Sequence, residues 1–201
     1  MAQTTKQLNI YRRKLLNSVL FFARNVHYPN TTVISKLLYF LDFNHVEQTG
    51  YPSIGLEYHA FSQGPVPKDF WLEIKDGNVP DDFKGSLSLN TKTDESNPEY
   101  KEIEFIANQE PDLGIFTPRE QKILKELVDI FKDETAKEMS RISHKEGQPW
   151  ALTTKVNKGI QPIDYILAIN ENSSITKEEA SEHLNEHFEV VNNFSLSPTK
   201  K

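Results

Sequence analysis

Apolar residues recur at three- and four-residue steps over residues 5–26. Leu8, Tyr11, Leu15, Val19, Phe22 and Val26 share one face, which predicts an amphipathic helix. Tyr28-Pro29-Asn30 interrupts it, because a residue before proline is pushed away from helical geometry. A second helix is expected from Thr31 or Thr32, acting as cap, to about Thr49, with Gly50 as its stop. Val33, Ile34, Leu37, Leu38, Tyr39, Phe40, Leu41, Phe43 and Val46 lie on nearly every side of it. A helix apolar all round is a buried one, so this is the expected spine of the core.

Downstream the pattern shortens. Residues 56–61 read as a strand, Gln63-Gly64-Pro65-Val66-Pro67 as a rigid turn, and about 67–76 as a helix with Phe70, Trp71 and Ile74 inward. Ser86–Thr91 alternates leucine with serine and pairs with Tyr100–Ala107 across a polar loop, Lys92 to Pro98. Thr117-Pro118-Arg119-Glu120 is a capping box with proline at the first helical position. The stripe behind it is Ile123, Leu124, Leu127, Val128, Ile130 and Phe131. Thr135 starts another helix, with Met139 and Ile142 inward, that ends near Gly147; Thr176 to Glu179 is a second capping box opening a last helix to about Val191. The expected fold is α+β and mainly helical: a single domain over 1–191 around a buried central helix, with a small antiparallel hairpin and a flexible tail at 192–201.

Composition narrows the functional classes. A chain of 201 residues with 37% hydrophobic and 26% charged positions can bury a core. The absence of cysteine excludes a disulfide framework and any cysteine-based zinc site or nucleophile, and fits a reducing cytoplasm. The longest apolar runs, Val19 to Ala23 and Leu37 to Leu41, are far shorter than the roughly 18 residues of a membrane span. No signal-peptide pattern opens the chain. Net charge is −6, which argues against general nucleic-acid binding. Lys6, Arg12, Arg13, Lys14 and Arg24 form a local basic set that reads as a solvated helix face.

Three constellations carry candidate chemistry. His183-Leu184-Asn185-Glu186-His187 matches the H-x-x-E-H pattern of zinc proteases, in which two histidines one turn apart bind metal. A third ligand is required well downstream, and only 14 residues follow His187. The segment is therefore read as an exposed acidic helix, with no metal and no cofactor, and a metal-dependent hydrolase is the remote reading. Ser143-His144-Lys145-Glu146 cannot form a nucleophile–base pair, because helix neighbours project about 100° apart. Asp42 and His45, at i and i+3 in the apolar helix, are a candidate buried polar pair, since a buried carboxylate needs hydrogen bonds from His45 or another group. No G-x-S-x-G, Walker loop or G-x-G-x-x-G is present.

Three segments, in order, resemble one family: Lys36-Leu37-Leu38-Tyr39-Phe40-Leu41-Asp42-Phe43; Tyr58-His59-Ala60-Phe61-Ser62-Gln63-Gly64-Pro65-Val66-Pro67; and Ser143-His144-Lys145-Glu146-Gly147-Gln148-Pro149-Trp150. Together, over about residues 31–170, they resemble the Panacea, or SocA-like, antitoxin domain, known also from phage-associated proteins of the GepA type. The resemblance implies a mostly helical, non-enzymatic domain that neutralises a cognate toxin by direct binding. It also implies an alternative, since members include a proteolytic adaptor that delivers its toxin to a Clp-type protease. No catalytic residues come with the family. Many relatives carry an added DNA-binding segment; none is evident here, so a role at an operator is not expected. Gly64, Pro65, His144, Glu146 and Trp150 are the candidate partner-binding residues.

Overall fold

The computed structural model describes residues 10–94, 97–156 and 159–195. Helix α1 spans Ile10–Asn25 and α2 spans Thr31–Thr49. A hairpin follows, β1 (Tyr58–Phe61) with β2 (Gly64–Pro67), and then α3 (Lys68–Ile74). A second hairpin pairs β3 (Leu87–Asp94) with β4 (Asn97–Ala107). Four more helices complete the described chain: α4 (Pro118–Phe131), α5 (Ala136–Ser143), α6 (Pro149–Val156) and α7 (Lys177–Ser195). Both sheets are antiparallel and two-stranded. The architecture is α+β and mainly helical. None of the described helices is long and apolar enough to cross a membrane.

Helix α2 is the spine. Leu37, Leu38, Tyr39 and Leu41 have no solvent exposure. The hairpin β1–β2, strand β4 and helices α1, α4 and α5 all pack on it. Its aromatic side continues into β1 and the 3-10 turn Tyr165–Ala168: Tyr39 and Phe43 lie 4.3 Å apart, and Phe43 and Tyr165 4.7 Å apart.

Several local expectations change. Asn30, not a threonine, caps α2, its side chain accepting from the Val33 amide at 3.0 Å. Both types of side chain can cap, and only the backbone decides which residue stands outside the first turn. Gly50 does end the helix, in the left-handed conformation at φ 78°. The expected rigid turn is a strand, because Gly64–Pro67 pairs with β1 and the turn shrinks to Ser62-Gln63. The second hairpin is longer than expected, its strands reaching Asp94 and Asn97. Trp71 is only half-buried, and Ile130 is 62% exposed. Pro149 and Trp150 open a helix rather than follow one, and α7 runs past Val191 to Ser195. The start of the first predicted helix and the tail from residue 196 lie outside the described residues.

The basic set on α1 is largely neutralised. Arg12 pairs with Glu73 at 2.6 Å and Asp82 at 2.7 Å, Lys14 with Glu120 at 2.6 Å, Arg13 with Asp112 at 3.5 Å, and Arg24 with Glu110. Lys6 lies outside the described residues.

Candidate functional site

The three sequence segments meet at the turn of the β1–β2 hairpin. Gly64 opens β2 at φ 113°, a conformation that suits glycine. A methyl group there would come 2.8 Å from Lys36 Nζ and 3.0 Å from Ser143 Oγ. The bare glycine thus lets α2 and the end of α5 close on the strand. Gly64 and Pro65 are themselves buried, so they shape this region from beneath.

The third segment clamps the turn. Trp150 donates from Nε1 to the Phe61 carbonyl at 3.0 Å, and Ser140 donates from its hydroxyl to the Gln63 carbonyl at 3.0 Å. Pro149 sits at the first position of α6, where its missing amide hydrogen is no loss. The His144 ring stacks on Trp150 at 3.6 Å between centroids and 13° between planes. Phe61 touches Trp71 at 5.9 Å. The surface around the turn therefore carries Phe61, Trp71, Trp150 and His144, all half-buried, with Ser62 and Gln63 exposed. Glu146 stands outside it, paired with Lys155 at 2.8 Å, and that ammonium holds its carboxyl below the usual range.

Lys36 is the unexpected member. It is 1% exposed, and burial alone lowers its ammonium to about 8. Among the described residues it forms no hydrogen bond and no ion pair. Burial, and then the Lys36 charge, hold His144 below the usual histidine range, so its ring is neutral near pH 7. The His144 Nε2 is buried without a partner. The Tyr39 hydroxyl is buried and raised by burial; the Trp150 backbone works weakly against that rise without forming a full hydrogen bond. Lys36 lines a cleft of ≈ 190 Å³ with Thr32, Ser35, Phe61, Gln63 and Trp71. A neighbouring cleft of ≈ 410 Å³ lies across Phe61, walled by Trp150, Thr154 and Ile160. A cleft of ≈ 500 Å³ near Tyr165 and Phe188 is larger than either, but the Lys36 cleft is the one lined by a buried cation with no partner among the described residues.

Asp42 and His45 are satisfied separately. Asp42 is fully buried and accepts from the amides of Ile54 at 2.6 Å, Gly55 at 3.2 Å and Leu56 at 3.3 Å, and from the Tyr58 hydroxyl at 3.0 Å. The Tyr165 hydroxyl lies between Asp42 at 3.1 Å and the Leu56 carbonyl at 2.6 Å. Burial pushes the Asp42 carboxyl up, and these donors oppose the rise. His45 turns its Nδ1 to the Tyr51 carbonyl at 2.6 Å. Asp42 is thus a structural hub under β1, and backbone amides serve it instead of His45.

The two C-terminal histidines are not on an exposed face. His183 stacks on Tyr51 at 4.4 Å and its Nδ1 meets the Thr49 carbonyl at 2.9 Å. His187 is 6% exposed and edge-on to Tyr11 at 5.0 Å; burial lowers it to about 4. They dock α7 onto the body. Among the described residues no group of three or more His, Asp or Glu side chains is arranged to hold a metal ion.

Sequence reasoning missed Lys36, Phe61 and Trp71 as site residues. The available signal was Lys36 itself, the only Lys or Arg in a helix apolar on nearly every side.

No curated protein and no solved structure matches the chain. A sequence-family model does match, and it covers in full the three segments that the fold gathers at the hairpin turn. Over residues 34–151, more than half its length, the chain belongs to the antitoxin SocA-like, Panacea domain family.

Proposed function

We propose that this protein is an antitoxin that neutralises a cognate toxin by direct, stoichiometric binding, through the surface around the β1–β2 turn. The family supports an antitoxin-type role. The observation that supports this surface is the convergence of three distant segments on a turn ringed by Phe61, Trp71 and Trp150. Half-buried aromatics over small clefts are the usual anchors of protein interfaces. In this reading Trp150 and His144 face the partner, Glu146 lies on the rim, and Gly64 and Pro65 hold the turn in shape. Masking a toxin needs no chemistry, so the protein acts as a binder rather than an enzyme.

Co-expression with the product of a neighbouring reading frame tests this. The expected result is relief of growth inhibition and co-purification at a fixed ratio, with protection titrating with that ratio. Phe61→Ala or Trp71→Ala, shown to be folded, is expected to weaken the complex at least tenfold. Protection at strongly substoichiometric amounts, lost in cells without a Clp-type protease, would overturn masking in favour of a proteolytic adaptor.

A further inference from the structure

An ammonium withdrawn from water is costly unless a counter-charge or several acceptors meet it. Lys36 has neither among the described residues, although the sequence supplies 29 Asp and Glu. A lysine kept only to fill space in α2 would be better as leucine or methionine, so the retained charge points outward from the fold to a ligand.

The surroundings specify that ligand. The cleft that Lys36 lines is ≈ 190 Å³, well below the several hundred Å³ of a small-molecule site, and fits one side chain. Phe61, Val66 and Trp71 give it apolar walls, and Ser35 and Thr32 add hydroxyls. It shares Thr31, Thr32 and Trp71 with a second, open cleft at the N-terminus of α2, where Lys75 and Lys101 stand. The N-terminus of that 19-residue helix adds partial positive charge. Asp76 and Glu102 also line the second cleft, so the positive excess is concentrated on Lys36 and the helix end.

We infer that the Lys36 cleft receives an aspartate or glutamate side chain of the protein partner. The carboxylate meets Lys36, and the methylene stem packs against Phe61 and Trp71. This rests on the reading of the turn as a partner-binding surface.

The test is Lys36→Met, which keeps an unbranched apolar stem and deletes the charge. The variant is expected to melt at or above the wild-type temperature while its affinity for the neighbouring-frame toxin falls roughly 10- to 100-fold, as for a lost charge-assisted hydrogen bond. Unchanged affinity overturns the inference. So does a lower melting temperature, which marks a structural lysine. If the wild-type protein binds no toxin at all, it is the antitoxin reading that fails. The cleft is then judged with N-acetylglutamate N-methylamide against its glutamine counterpart, followed on the Lys36 side-chain NMR signal, assigned by its loss in Lys36→Met. A saturable shift with the acid alone supports the inference; an equal response to both probes, or to neither, overturns it.

Discussion

The Trp150 indole and the Phe61 carbonyl, 89 residues apart in sequence, are joined by a 3.0 Å hydrogen bond that fixes the β1–β2 turn against α6. Trp150→Phe keeps a ring to stack on His144 but removes this bond together with part of the indole's packing. The expected cost is about 1–2 kcal/mol in urea unfolding, with a larger proportional loss in partner affinity, since the turn is the proposed partner-binding surface.

Gly64→Ala combines backbone strain at φ 113° with a clash against Lys36 and Ser143. A loss of roughly 1–3 kcal/mol is expected. A double-mutant cycle with Lys36→Ala isolates the Lys36 part of the clash, which is relieved in that background, whereas the Ser143 contact and the strain remain.

Stability should rise with pH across the window set by Lys36. Its ammonium sits near 8 in the folded protein against 10.5 when unperturbed. Below the lower value both folded and unfolded chains hold the proton and the full burial penalty applies. Between the two, the unfolded chain binds more protons, so stability increases by up to about 3 kcal/mol. His144, the titratable group facing Lys36, is already neutral throughout this range. The wild-type minus Lys36→Met difference in urea midpoint, measured from pH 7 to pH 10, isolates the effect and should shrink as pH rises.

Glu120 controls the acid side. Burial works against its charge, yet Lys14 at 2.6 Å, the Thr117 amide at 2.8 Å and the Ser53 hydroxyl at 2.8 Å hold its carboxyl below the usual range. The stabilisation is complete above the ordinary glutamate value and is lost as pH falls through the lowered folded one. Glu120→Gln should lose roughly 1–3 kcal/mol at pH 7, because Lys14 is left unpaired, and the gap to wild type should close toward pH 3.

Replacing His183 and His187 together by alanine should lower the melting temperature by undocking α7, without abolishing toxin neutralisation. Zinc or EDTA should leave the wild-type melting curve unchanged, because His187 is buried and no group of three or more His, Asp or Glu among the described residues is arranged to hold a metal ion.

Much of the helical framework was legible because periodicity and caps are local. The all-apolar face of α2 announced its burial, and Thr117 with Glu120 announced the start of α4. Two things were not local. Glu120 reads as a capping residue, but its second role depends on Lys14, 106 residues away. His187 reads as part of an exposed acidic helix, but it is buried, with Tyr11 and Gly55 lying against it. At the site, the three segments were visible while their junction was not. Nothing near Gly64 in sequence reveals that its missing side chain makes room for Lys36.

Asp42 also bears on where the molecule can be cut. Its donors at residues 54 to 58 lie close in sequence, whereas the Tyr165 hydroxyl beside it comes from 14 residues beyond the end of the family match at residue 151. On the other side, α1 contributes Leu15, Val19, Leu20 and Phe22 to the core from before residue 34. A fragment trimmed to 34–151 would leave the carboxylate short of a hydroxyl and one whole side of α2 wet. The minimal expressible unit is therefore longer, at both ends, than the stretch by which its kinship is recognised.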